Sequence, residues 1–343
     1  MIKMRRPKIP DLAEAAGVSV ATVNRVLSGA ENVRLATRER VQQAAERIGF
    51  YALGSIQARV TAARPHVRLG VLLLQRHRPF YQSIAQALTI AATEVPGAEV
   101  ELQIEFLEDL SPQNTADRAL ALAGECDAIC LTSAVHPVVT DAVERIQSNG
   151  KPVFALIAQL SATGQIHYIG LDNWKVGRTS AWAFANICKV PGKIGILMGN
   201  PRYRNQEMNE TGFRSYFREL APKFTLLEPI STFEAAAVAQ EMTERLLNDH
   251  PDLVGLYVSG GGISGALAAL RSGGRAGQIV VVGYDLTEVT RSALLDGSMT
   301  FVISHPYARL AREAIDGMVR ACLAPGGNQT SIIPFEIYTR ENI

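Results

Sequence analysis

The first 50 residues carry apolar positions at helical spacing and read as short helices with tight turns. Pro10-Asp11 opens a segment whose apolar face is Leu12, Ala13 and Ala16, with a proline and an acid where a helix N-terminus favours both. Gly17 ends it, because glycine takes the left-handed conformation without a steric cost. Ser19 is placed to cap a second helix running to about Leu27. There Val23, Val26 and Leu27 form one stripe, and Val20, Ala21, Asn24 and Arg25 face outward. A third helix, about 37–48, puts Val41, Ala44, Ala45 and Ile48 on one side. Helix, four-residue turn, helix, loop, helix is the order of a helix-turn-helix module.

Residues 51–66 break the pattern. Turn formers occupy 51–55, and Ile56–Ala63 is rich in Ala and Arg with weak periodicity before Pro65. The stretch reads as a hinge or linker that forms a short helix only in the right company. From Val67 onward, short apolar runs of strand length alternate with amphipathic helical stretches. Strands are predicted at 68–74, 100–106, 128–131, 153–157, 193–198, 224–229, 253–258 and 280–283. Helices are predicted near 81–93, 113–123, 138–148, 175–188, 206–220, 234–248 and 262–271. Buried strands alternating with helices make doubly wound parallel sheets, and these are too many units for one sheet. The expected fold is an all-α three-helix head (1–50), a hinge (51–66) and an α/β domain of two lobes (67–343). Ligand groups belong on the loops after the strands.

Composition narrows the classes. Of 343 residues, 47% are hydrophobic and 20% charged, so the chain is globular and not disordered. No apolar run approaches the roughly 20 residues that span a bilayer. No apolar segment follows the basic N-terminus, so no secretory signal is expected and the expected location is the cytoplasm. Cys126, Cys130, Cys188 and Cys322 lack zinc-site spacing and read as free thiols, and the six histidines form no paired ligand motif. Neither a G-x-S-x-G elbow nor a Cys/His pairing suggests catalysis, so neither enzymatic activity nor a cofactor is expected. Charge is unevenly spread. Residues 1–64 hold 11 Lys/Arg against 5 Asp/Glu, and residues 65–343 hold 23 against 28. A small basic module on a mildly acidic body suits a nucleic-acid-binding head.

In such a head the start of the second helix meets base edges in the major groove. Arg25 suits a bidentate contact to guanine, and Val20 or Ala21 a thymine methyl. Ser19, Thr22 and Ser28 suit phosphate oxygens.

The run Leu12-Ala-Glu-Ala-Ala-Gly-Val-Ser-Val-Ala-Thr-Val-Asn-Arg-Val-Leu-Ser28, with Val33-Arg34, Thr37–Val41 and Ile48-Gly49-Phe50, resembles the head of the LacI/GalR family of bacterial repressors. Arg68-Leu-Gly-Val-Leu-Leu73 is similar to the first strand of that family's effector domain, which is periplasmic-binding-protein-like. Val282-Gly-Tyr-Asp285 resembles the late strand whose terminal Asp holds a ligand hydroxyl in sugar-binding members. The resemblance implies a homodimer on a pseudo-palindromic double-stranded DNA operator, modulated by a small-molecule effector between the lobes, a sugar, polyol or derivative. It implies chain crossings near 170, 303 and 328, giving lobe one 67–170 plus 303–328 and lobe two 171–302 plus 329–343. Inducer and corepressor fit equally. A strand at 332–338 is followed by no leucine heptad, so no tetramerising tail is expected.

Two departures from the family pattern stand out. Its hinges read Asn-x-x-Ala-Arg-x-Leu, the Leu wedging into the minor groove. Here Leu53-Gly-Ser-Ile-Gln-Ala-Arg59-Val60 is about two residues longer, and Ile56 or Val60 is the candidate wedge. In the pocket, an Arg common three residues before a Gly-Phe is replaced by Asn209, with Glu207 nearby, and an Asn after the 253–258 strand is replaced by Ser259-Gly-Gly-Gly262. This points to a ligand less anionic than a sugar phosphate, or to something other than a common hexose. Phe80, Tyr81, His136, Arg202, Tyr203 and Asp285 complete the candidate ligand set, each having helix capping or lobe packing as its plainer role. Asp172 reads as an N-cap.

Gly260-Gly-Gly-Ile-Ser-Gly265 also fits a dinucleotide fingerprint, with Asp285 20 residues past its last glycine. The alternative is therefore an NAD(H)-binding redox sensor or a dehydrogenase. Against it, the motif sits in the fourth βα unit of the second lobe and not in the first. A periplasmic solute-binding protein shares the effector fold but lacks the basic head.

Overall fold

Glycines end the first three helices, a stop that the sequence predicts for Gly17. In the computed structural model, which describes residues 6–30, 32–324, 326–327 and 329–343, α1 (Ile9–Ala16), α2 (Val20–Ser28) and α3 (Leu35–Ile48) stop at Gly17, Gly29 and Gly49. All three glycines are left-handed, with φ of 61°, 79° and 66°. The basic run at residues 1–5 lies outside the described residues. Ser19 caps α2 by accepting the Thr22 N–H at 3.1 Å. Arg38 is buried and donates to the carbonyls of Val33 (2.9 Å) and Ala30 (2.7 Å), tying down the loop before α3.

The hinge takes up the short helix that its sequence allows in suitable company. It forms α4 (Leu53–Ala62), whose Ile56 and Val60 sit four residues apart on one face. Both are fully buried in the apolar core that holds Leu12, Val23, Val26, Val41 and Phe50.

The described residues divide into two compact units. One runs to Val67 and includes Thr93–Glu101; the other comprises Arg68–Ala92 and Leu102–Ile343. After α4 the chain forms β1 (His66–Leu74), α5 (Pro79–Thr93), β2 (Glu99–Leu107), α6 (Pro112–Glu125), β3 (Ala128–Leu131), α7 (Pro137–Ser148), β4 (Val153–Leu156) and β5 (His167–Leu171). Then come α8 (Asn173–Ile187), β6 (Lys193–Met198), α9 (Arg204–Leu220), β7 (Thr225–Leu226), β8 (Ile230–Ser231), α10 (Ala236–Asp249), β9 (Leu253–Val258) and α11 (Ile263–Ser272). The last elements are β10 (Val280–Tyr284), α12 (Glu288–Leu295), β11 (Phe301–Ser304), α13 (Tyr307–Leu323), β12 (Ser331–Ile333) and β13 (Glu336–Tyr338).

Two sheets result, ordered β12-β5-β4-β3-β1-β2 and β13-β11-β10-β9-β6-β7, with β8 also on β6. In the second sheet β13 runs antiparallel to β11 and the other strands pair in parallel. The chain passes from the first sheet to the second after β5 and returns after β11, close to the expected 170 and 303. The crossing expected at 328 falls on a residue outside the described set. The third crossing in the structure follows β12, which pairs with β5, so Ser331–Ile333 belongs to the first lobe and not to the second. Pro334 explains the correction. Lacking an N–H for the ladder, it splits the expected 332–338 strand into β12 and β13. Pro229 likewise reduces the expected 224–229 strand to the short β7 and β8.

Helices α8 and α9 pack backbone against backbone through two glycines. A Cβ on Gly177 would collide with the Asn209 carbonyl and lie 2.9 Å from the Phe213 nitrogen, and one on Gly212 would collide with the Trp174 carbonyl. Gly177→Ala should therefore lower stability by about 1–3 kcal/mol through overpacking, outweighing the ~1 kcal/mol that alanine's helix propensity adds. Chemical denaturation measures this; a stabilised variant would mean that the helices separate freely.

Among the described residues, no helix is long and apolar enough to cross a membrane. The four cysteines are free, and burial pushes the Cys188 and Cys322 thiols up to about 11.

Candidate functional site

The outer side of α2 is built from what its core stripe leaves over. With Val23 and Val26 buried, Val20, Ala21, Asn24, Arg25 and Ser28 are exposed. Ser19 and Thr22 share a hydroxyl contact of 2.9 Å, and the Ser28 hydroxyl donates to the Arg25 carbonyl at 3.0 Å. The head's cations divide by role. Arg38 is spent on loop carbonyls, and Arg47 donates to the Ala15 carbonyl at 2.6 Å. The Arg25 guanidinium has no protein partner among the described residues and is available to an outside acceptor. Ile56 and Val60 are not available as wedges in this arrangement, because both are inside the head's core. The exposed residues of α4 are the small Gly54, Ser55, Ala58, Thr61 and Ala62.

The second unit holds a cavity of about 480 Å³, lined from both lobes by the carboxyl ends of strands and the loops after them. This is the size and position of a small-molecule site in an open α/β sheet. The first lobe contributes Gln75, Arg78, Phe80, Tyr81 and Thr132; the second contributes Tyr203, Asn205, Gln206, Asn209, Glu234, Ser259, Tyr284 and Asp285. Three amide oxygens there are buried without a hydrogen-bond partner among the described residues: Gln75 Oε1, Asn205 Oδ1 and Asn209 Oδ1. Buried acceptors are seldom left unpaired, at a cost of about 1–3 kcal/mol each. Their concentration in one cavity marks it as built for a ligand rich in hydroxyl donors.

Asp285 is the charged end of this set. It follows β10 with φ 59°, and its Oδ1 accepts the His305 backbone N–H at 3.0 Å and lies 2.8 Å from His305 Nδ1. These contacts fix the carboxylate and leave Oδ2 without a protein partner among the described residues. Phe80 lies 4.9 Å from Tyr81 and 5.5 Å from His305 between ring centroids, forming an aromatic wall. Burial pushes the Tyr81, Tyr203 and Tyr284 hydroxyls up, so they stay protonated and can donate.

Backbone strain independently singles out the cavity. Among the described residues, the non-glycine positions with left-handed φ are Gln75, Ile157, Phe233, Glu234 and Asp285, and all five line it. Such conformations cost of order 1–3 kcal/mol each and cluster at ligand clamps.

Of the expected ligand residues, the structure brings Phe80, Tyr81, Tyr203, Asn209 and Asp285 together. It sets three apart. His136 caps α7, accepting the Val138 N–H on Nδ1 at 3.3 Å. Glu207 is exposed in the first turn of α9, where an acid complements the helix dipole. Arg202 is exposed at the cleft rim, where its carbonyl accepts the Val135 N–H at 2.9 Å and joins the lobes. Asp172 caps α8.

The glycine-rich loop is accounted for by packing. A Cβ on Gly260 would collide with the Gly199 nitrogen, one on Gly261 with the Glu234 carboxylate, and one on Gly265 with the Ala236 carbonyl; on Gly262 it would lie 2.5 Å from the Ala239 Cβ. Each glycine clears space for the protein's own atoms, so the run needs no nucleotide to explain it.

Comparison with known proteins gives the same division of the chain. Residues 8–52 match the family of bacterial regulatory proteins, lacI family, and residues 70–325 match the periplasmic binding protein domain. The chain is 25% identical over 332 residues to the HTH-type transcriptional regulator CelR of Thermobifida fusca, covering 91% of each protein. It is 23% identical over 269 residues to a D-apiose import binding protein of Paraburkholderia graminis, covering 78% of this chain and 82% of that one. A solute-binding protein of Burkholderia graminis solved with D-arabinose superposes with a TM-score of 0.74 at 20% identity, covering 80% of this chain and 96% of that chain. Over residues 70–325 the chain belongs to the periplasmic binding protein domain family, and it carries a lacI-family helix-turn-helix head at residues 8–52.

Proposed function

We propose that the chain is a cytoplasmic, non-enzymatic transcription regulator that binds a pseudo-palindromic operator as a homodimer and releases or tightens its grip when a sugar or polyol fills the cavity. The carrying observation is the cluster of unpaired buried acceptors beside Asp285, which a polyhydroxylated ligand satisfies at once. The sugar-binding relatives support the same ligand class. The exposed, unpartnered Arg25 on α2 supports base readout by the head. A ligand acts on DNA binding only through its differential affinity for the two states, and typical coupling of ~1–3 kcal/mol changes operator affinity about 5–150-fold.

Thermal-shift screening of the full chain against pentoses, hexoses, polyols and NAD(H) tests the reading, since a ligand that binds the folded state raises its melting temperature. A neutral sugar or polyol should raise it; a shift with NAD(H) alone would overturn the reading. Arg25→Ala should weaken operator binding by roughly 1–3 kcal/mol and relax preference at one base position. Binding to a library of operator variants checks this. Equal weakening on every sequence would make Arg25 a phosphate contact.

A further inference from the structure

One ion pair in the cavity belongs to neither the aromatic wall nor the acceptor cluster. Arg78, on the loop after β1, donates from Nη1 to Glu234 Oε2 at 2.9 Å, joining the first lobe to the loop between β8 and α10 in the second. Glu234 Oε1 is taken as well, by Gln206 Nε2 at 2.7 Å. Both carboxylate oxygens are therefore engaged by the protein, and the side chain is only 7% exposed. On the other partner, the Tyr81 ring lies 5.4 Å from the Arg78 guanidinium carbon.

The surroundings are shaped to hold this pair. Phe233 and Glu234 are consecutive non-glycine residues with φ of 51° and 62°, a backbone cost that the contacts of Glu234 must offset. Gly199 and Gly261 lack side chains where a Cβ would strike the Glu234 carboxylate. Burial works against charge on Arg78, but the Glu234 carboxylate beside it favours the charged form, and its pKa is raised.

The pair decides the charge that a ligand meets. Arg78 is the one arginine or lysine among the described residues that line the cavity, and the acids there are Glu234 and Asp285. With Glu234 neutralising Arg78, the carboxylate left to face a ligand is Asp285. We propose that Glu234 is a specificity-determining residue that occupies Arg78 from within, so that the cleft accepts neutral sugars and rejects sugar acids. The proposal rests on reading this cavity as the sugar site. Removing one partner of a buried pair leaves an uncompensated charge, which a ligand of opposite sign can then satisfy.

The test is a matched panel on the full chain at constant sodium concentration: D-galactose with D-galacturonate, D-glucose with D-glucuronate, and D-ribose with D-ribonate. Thermal shift and titration calorimetry read the acid-to-neutral preference. The wild type should favour the neutral member. E234Q, which keeps the shape of the side chain, should shift that preference toward the acid by about tenfold or more, or acquire acid binding where there was none. The double variant R78Q/E234Q should lose the gain. If E234Q does not fold, R78Q leaves the Glu234 carboxylate unpaired and should gain D-glucosamine over D-glucose by a similar factor. A wild type that prefers acids, or a folded variant with unchanged preference, overturns the proposal. A wild type that binds no neutral sugar overturns the sugar-site reading instead; gain or absence of acid binding in E234Q then still decides the role of Glu234.

Discussion

Replacing Ile56 by alanine is expected to unfold the head and abolish operator binding in one step. Ile56 is fully buried with Leu12, Val23, Val26, Val41 and Phe50, and α4 joins the head's core mainly through it and Val60. Truncating a buried isoleucine to alanine costs about 2–5 kcal/mol, as lost transfer energy plus a cavity. Small domains near 60 residues bury little surface and have few kcal/mol to lose. The conservative Ile56→Val should cost only about 0.5–1.5 kcal/mol and keep DNA binding. Amide hydrogen exchange across 6–62 in the full chain, beside operator titration, separates two roles. As a core residue, Ile56→Ala loses protection and DNA binding together. As a minor-groove wedge, it keeps protection and loses only DNA affinity.

The two lobes were legible because strands of a parallel sheet, covered on both faces, are nearly continuous apolar runs. The strand β3 at Ala128–Leu131 is an example, with every residue buried. The strand β5 was not legible. His167-Tyr-Ile-Gly-Leu mixes polar aromatics into the run, and their polar atoms find partners both within the strand and far along the chain. The Tyr168 hydroxyl meets the Ile157 and Leu171 carbonyls, each at 3.0 Å, and His167 Nδ1 accepts the Gln329 N–H at 3.0 Å. The linker became a helix for a similar reason. Its weak periodicity still places Ile56 and Val60 on one face, and that pair suffices once a core is there to receive it.

At the site, position relative to strand ends picked loops that the cavity gathers and, in part, side chains that line it. Tyr203 faces the cavity, but its neighbour Arg202 does not, because a loop does not keep a fixed side-chain phase. The Arg78–Glu234 pair spans 156 residues of sequence, and nothing local to either residue announces it. The glycine run carried a real signal with a different cause. Its glycines are required by the approach of Glu234, Ala236 and Ala239, and not by a phosphate.

Asp285→Asn should weaken the sugar or polyol identified by thermal shift by about 10–150-fold while leaving ligand-free operator binding intact. The estimate follows from a hydrogen bond to a charged group, worth about 1.5–3 kcal/mol, at 1.4 kcal/mol per tenfold. Asparagine is the informative substitution. At φ 59°, alanine would add backbone strain, whereas asparagine tolerates the left-handed region as aspartate does. Its side-chain oxygen can still accept the His305 backbone N–H, so the end of β10 stays in place. What changes is the other side of the group: an anionic acceptor facing the ligand becomes an amide donor, and a hydroxyl that donated there loses its partner. Calorimetric titration gives the affinity, and operator binding with and without ligand gives the coupling. Unchanged ligand affinity would show that Asp285 serves only to hold His305, and would move the ligand toward the amide cluster of Gln75, Asn205 and Asn209.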